Sequence, residues 1–152
     1  MGNSSWALRQ GHFLLRAGLL LFFVALLVGL VVPHFAVPRL GLSAHLLGIM
    51  QGLFLMSAGL FWPRLELTRG MARVGAWAVT YGCYAAWAAN LLAAVAGAGN
   101  AMLPIAAGAA HGSAFQEGLI MLGLRSAAVS LIGATALMLW GLRAYPQDTP
   151  QT

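Results

Sequence analysis

Lysine is missing from this 152-residue chain, and acidic residues number only three. Charged residues make up 7% of the sequence, where a soluble domain carries about a quarter. That shortage excludes an ordinary water-facing surface. A single cysteine, Cys83, excludes an intrachain disulfide and leaves the redox compartment open. The chain also lacks Gly-x-Ser-x-Gly, His-Glu-x-x-His, a phosphate loop and paired carboxylates, so it carries no hydrolytic machinery. Three acids supply a proton-coupled carrier thinly. A small four-span multidrug exporter would place a carboxylate inside span one, and here that span has none. No repeat of fixed period and no second domain is visible.

What is present is apolar. Hydrophobic residues make up 61% of the chain, which predicts an all-α, polytopic membrane four-helix bundle forming one domain. Four spans are read, at about 13–32, 45–61, 71–96 and 114–142. Pro33 and Pro38 bound the first, Trp62-Pro63 stops the second, and Gly97-Ala98-Gly99-Asn100 breaks the third. Tyr145-Pro146 ends the fourth, and the polar tail 147–152 is predicted to be disordered. The first run is too long for a cleaved signal peptide, and Met1-Gly2 lacks the Ser or Thr of a myristoylation site. Arg9, Arg16, Arg64, Arg69, Arg73 and Arg143 gather at one set of helix ends, against Arg39 at the other. The positive-inside rule therefore predicts cytoplasmic termini. Arginines placed this way are no nucleic-acid footprint. The Ala/Gly-rich segment 97–113, with Asn100, Pro104 and His111, is poor at spanning and is expected to dip back against protein.

The most informative stretch is Gly41-Leu42-Ser43-Ala44-His45-Leu46-Leu47-Gly48-Ile49-Met50-Gln51-Gly52. At 100° per residue, His45, Gly48, Gly52, Met56 and Gly59 share a sector of about 80°. That face is an imidazole above a groove of missing side chains, which admits either another helix or a flat ligand. Neutral imidazole is a common metal and haem ligand, and Ser43 is placed to cap the helix just ahead of it.

Other polar groups are expected in the outer half of the membrane. Gln51 lies about 9 Å deeper than His45, and Asn90 on span three is expected level with Gln51. Glu117 opens span four, as a catalytic acid or as a carboxylate favoured by the helix dipole. Asn90 reads equally as a substrate group or an interhelical hydrogen-bond partner. Arg125 lies deeper and needs a partner, a haem propionate or a backbone carbonyl. Tyr81, Tyr84 and Trp87 on span three serve either packing or substrate binding. His12 and His34 read as interfacial.

The string Gly41–Leu46, together with Gly112-Ser113-Ala114-Phe115-Gln116-Glu117-Gly118-Leu119-Ile120 in one four-span frame, resembles the hydroxylaminobenzene mutase family. The likeness runs from Arg16 to about Arg143. It implies a bacterial inner-membrane isomerase converting hydroxylaminobenzene to 2-aminophenol by intramolecular hydroxyl transfer. A more distant likeness is to styrene oxide isomerase, a trimeric four-span family with an axial haem histidine in an Ala-His context. Ala44-His45 matches that context, and Gln51 takes the position of the family's asparagine. Asn90 falls where the family has a tyrosine, and its span-three aspartate has no acidic counterpart. The resemblance implies a homotrimer with ferric haem b on His45 as Lewis acid, and Gly48, Gly52 and Arg125 beside the cofactor. Gln51, Asn90 and Glu117 would then act on the hydroxylamine, and Tyr84 and Trp87 on its ring. The alternatives are an epoxide isomerase and a non-catalytic haem-binding or packing subunit.

Overall fold

The computed structural model describes residues 3–142. In order, it comprises α1 (Asn3–Val31), a 3-10 turn (Val32–His34), α2 (Pro38–Phe61), a second 3-10 turn (Trp62–Arg64), α3 (Arg69–Ala96), the short α4 (Pro104–Ala107) and α5 (Ala114–Leu142). The four long helices are each long and apolar enough to cross a membrane. The tail 147–152 and Arg143 lie outside the described residues.

The helix boundaries have local causes. Pro38 stands in the first turn of α2, where its missing N–H is no loss and its φ is already helical. The helix therefore begins seven residues before His45, and the proline read as part of a loop is a helix starter. As a correction, Ser43 does not cap this helix; it lies inside it. Thr68 accepts the Met71 N–H at the start of α3, and Gly97 in the left-handed region (φ 63°) ends it. At α5, Ser113 Oγ accepts the Gln116 N–H while Gln116 Oε1 accepts the Ser113 N–H, a reciprocal capping box.

Small residues set the helix contacts. A Cβ on Gly11 would stand 2.6 Å from the Gly59 carbonyl oxygen, and one on Gly18 would stand 2.6 Å from that of Gly52. The reverse additions meet the same backbone, so α1 and α2 touch main chain to main chain at two levels seven residues apart. The stripe on α2 is thus filled by α1 of the same chain. Of the two occupants that the groove admits, it holds the helix.

α3 lies against α2, and α5 packs chiefly on the far side of α3. There Gly75 accepts Leu137 and Gly82 accepts Leu131. The four helices of the expected bundle form an open array, with α5 packed on α3. The outer side of α5 carries Leu122, Val129, Ile132 and Leu139, all exposed. In lipid such a face needs no protein cover, so nothing draws α5 round onto α1.

Two buried clusters result. Leu14, Leu21, Leu55, Trp62, Val79 and Cys83 form the first; Leu40, Ala93, Ala94, Ala98, Ala107 and Ile120 form the second, under the 97–113 segment. That segment does fold back on protein through Ala98 and Ala107, while Ile105 is 90% exposed. Gly11 meets Pro63, and the Glu66 N–H donates to the Gly141 carbonyl, so the start of α1 and the end of α5 share one end of the array.

Candidate functional site

Half-buried His45 sits one helical turn below Gly41 with its Nδ1 2.7 Å from the Ala25 carbonyl oxygen of α1. A carbonyl only accepts, so Nδ1 carries a proton, and in the neutral ring this is the tautomer that leaves the Nε2 lone pair available. The ring lies over Gly29, where an added Cβ would stand 2.6 Å from both Cε1 and Nδ1. Ala25 and Gly29 together fix tautomer and orientation, which is how proteins present imidazole to a metal.

One turn deeper, the edge of the Trp87 indole fills the space above Gly48, with Nε1 2.7 Å from where a Cβ would stand. Gln51 follows on the next turn of α2 and is 9% exposed. Two buried polar atoms in this region have no partner among the described residues: Trp87 Nε1, a donor, and Gln51 Oε1, an acceptor. Each costs about 1–3 kcal/mol when left unpaired. The donor stands over Gly48 and the acceptor belongs to the next turn of α2, and such a pair suits a small group that both accepts and donates.

Asn90 is 4% exposed and hydrogen-bonded through both its polar atoms. Its Nδ2 donates to the Ala86 carbonyl (3.2 Å), and its Oδ1 accepts from Ser43 Oγ (3.3 Å). It stands opposite Ser43, eight residues above Gln51, rather than level with Gln51 as the sequence suggested. The early start of α2 at Pro38 accounts for that difference of about 12 Å. The geometry gives Asn90 the interhelical of its two readings. Tyr84 Oη donates to the Ala17 carbonyl at 2.8 Å and braces α3 to α1.

Glu117 is not with these groups. Its Oε1 accepts the backbone N–H groups of Gly99 (2.8 Å), Asn100 (3.2 Å) and Gly112 (3.2 Å), and Oε2 accepts that of Ala101 (3.1 Å). A carboxylate holding four amides is a clasp for the loop. Arg125 is exposed on α5, with no hydrogen bond or ion pair among the described residues. Gly48 is covered by Trp87 and Ala25, and Gly52 by Phe22 and Gly18, so neither face is open to a flat ring. His111 is exposed in the loop.

The chain therefore fits a haem at one point. His45 has an anchored Nδ1 and an Nε2 with no hydrogen bond among the described residues, as an imidazole that binds a metal would. The groove below it does not supply the cradle, and Arg125 stands on another helix.

Ala25, Gly29 and the unpaired Trp87 nitrogen are absent from the sequence reading. The spacing Gly11, Gly18, Ala25 on α1 is the available signal, because it pairs with the glycines of α2.

The sequence profile of the styrene oxide isomerase family matches residues 10–143. The chain is 48% identical over 133 residues to hydroxylaminobenzene mutase HabB of Ectopseudomonas oleovorans, covering 88% of this chain and 81% of that one. It is 38% identical over 130 residues to hydroxylaminobenzene mutase HabA of the same organism, covering 86% and 96% respectively. No solved structure matches the chain.

Proposed function

The chain belongs to the styrene oxide isomerase family, and on that premise we propose that this isomerase rearranges hydroxylaminobenzene to 2-aminophenol within a membrane. The two relatives named as hydroxylaminobenzene mutases support the substrate. The observation that carries the site is the pair of unpaired buried atoms, Gln51 Oε1 and Trp87 Nε1. A hydroxylamine N–OH donates to the first and accepts from the second, relieving both.

The reaction is an isomerisation: the N–O bond breaks, a C–O bond forms at the ortho carbon, and the proton lost from that carbon is balanced by one gained at nitrogen. The Trp87 N–H stabilises charge growing on the departing oxygen, and Gln51 Oε1 orients the hydroxylamine hydrogen. The apolar surroundings of Leu21, Leu55 and Cys83 exclude water that would otherwise capture the electron-poor ring. Were ferric haem b bound, the His45 Nε2 would hold it, and the group would supply Lewis acidity. Asn90 and Ser43 set the spacing of α2 and α3 above the site. The array lies in the bacterial inner membrane with its arginine-rich end cytoplasmic.

The test is to incubate the purified protein with hydroxylaminobenzene and follow 2-aminophenol. Gln51→Leu and Trp87→Phe should each lower turnover about tenfold or more while the protein stays folded. Wild-type rates in both would remove these atoms from the site. The family match favours a second reading, epoxide isomerisation. Faster turnover of styrene oxide than of hydroxylaminobenzene would select it.

A further inference from the structure

Three arginines without partners converge at the other end of the molecule, far from His45. Arg9 on α1 and Arg69 and Arg73 on α3 line one cavity of about 260 Å³, with Gln10, Trp6 and Trp77 completing its walls. All three are exposed, and none has an ion pair or hydrogen bond among the described residues. Among the described residues no carboxylate lines the cavity; Glu66, the nearest acid in sequence, lines a separate cavity with Trp6. Three guanidinium groups flanked by tryptophan suit a phosphate at a membrane interface.

This cavity has an apolar neighbour. Phe13 lines it and also lines a second groove of about 440 Å³ between the same two helices, with Arg16, Ala17, Leu20, Thr80 and Tyr84. The Phe13 and Trp77 rings meet across the two helices with centroids 5.2 Å apart, and both line the cationic mouth. From Arg9 to Leu20 the helix rises about 16 Å, close to the thickness of one hydrocarbon leaflet.

We propose that the α1–α3 groove binds one anionic phospholipid, its phosphate on Arg9, Arg69 and Arg73 and an acyl chain along Phe13, Ala17, Leu20 and Thr80. Charge complementarity selects the headgroup, and the apolar groove that shares Phe13 with the cavity selects a lipid over free phosphate. The site is independent of the reaction proposed above.

The test is competitive retention. The full-length protein is reconstituted with equal phosphatidylglycerol and phosphatidylcholine, extracted in mild detergent, and its bound lipid is counted by native mass spectrometry. Phosphatidylglycerol should be retained preferentially, at one molecule per chain. Each of Arg9→Gln and Arg73→Gln should lower that preference about fivefold, because an arginine near a membrane surface attracts anionic lipid with about 1 kcal/mol. Arg64→Gln removes the same charge at the same end but lines neither cavity, and should change nothing. Arg9→Lys with Arg73→Lys keeps the charge for insertion and should retain most of the preference. Ala17→Trp, which fills the apolar groove, should lower retention with the arginines intact. Equal loss in Arg64→Gln would mean diffuse charge and overturn the site. Thermal stabilisation by inorganic phosphate equal to that by phosphatidylglycerol would reduce it to an anion site. A self-association surface mapped by crosslinking across this groove would replace the lipid by a second copy.

Discussion

Adding one methyl group at Gly29 tests the histidine anchor directly. In Gly29→Ala the new Cβ would stand 2.6 Å from Cε1 and Nδ1 of His45, where ordinary contact begins at 3.4 Å. Neither the α1 backbone nor the ring edge is the flexible end of a side chain, so the imidazole must retreat by about 0.8 Å. A retreat of that size stretches the 2.7 Å bond to the Ala25 carbonyl to about 3.5 Å, beyond useful hydrogen-bond range. The loss is about 1 kcal/mol for the bond itself. The larger effect is on a ligand whose tautomer is no longer fixed, where loss of such a partner costs about 10–100-fold in metal affinity or activity. Gly118→Ala and Gly133→Ala are the controls, since an added Cβ there meets nothing within 4 Å. Nitrogen NMR of labelled histidine reads the tautomer without any assumption about the reaction, and 2-aminophenol formation reads the consequence. A Gly29→Ala protein that keeps the Nδ1–H tautomer and wild-type turnover would refute the anchoring argument.

Glu117→Gln should act on the loop. The amide keeps one acceptor but turns an NH₂ toward N–H donors, costing about 1–3 kcal/mol and exposing 97–113 to protease. A thousandfold fall in turnover with the loop still protected would restore the catalytic reading of this carboxylate. Asn90→Ala should cost about 1 kcal/mol or less, the usual worth of an interhelical bond in lipid, measured by detergent-titrated unfolding. His45→Ala should lose any bound haem absorbance and the activity while the protein still inserts; full absorbance and rate would remove His45 as the ligand. Gly52→Leu should prevent α1 from docking on α2 and yield little folded protein, whereas Gly133→Leu should be tolerated; normal yield of the former would contradict the main-chain contact.

The fold was legible where it depends on lipid alone. Long apolar runs, the proline and glycine breaks and the arginine end all follow from the cost of polar groups in hydrocarbon, and α5 begins at Ala114, where the pattern places it. What escaped was register. Reading Pro38 as a loop residue shortened α2 by seven residues, moved Asn90 down to Gln51, and made Ser43 a cap instead of a bridge to α3. The motif Gly112–Ile120 was visible as a string but its physics was not. Ser113 and Gln116 are a capping box, and Glu117 clasps amides up to eighteen residues away, a partnership that no local pattern encodes. The Ala25 carbonyl was equally hidden, since every residue carries one and only the docking of α1 selects which meets His45.

That docking ties packing and chemistry into one construction. Along α1, Gly11 and Gly18 meet Gly59 and Gly52 backbone to backbone, and Ala25 then meets Gly48 through its methyl group. At the next turn, Gly29 faces no glycine; the space is taken by the imidazole of His45. The glycine seam therefore brings the helices to a separation at which one carbonyl can reach Nδ1, and it leaves a single gap in which the ring fits. A bulkier residue low in the seam, at Gly11 or Gly18, would push α1 away along its whole length. It would loosen the His45 anchor three to five turns above without touching it. Gly11→Ala should accordingly shift the histidine tautomer balance as well as lower stability. An unchanged histidine spectrum in a folded Gly11→Ala protein would show that the anchor does not depend on the seam.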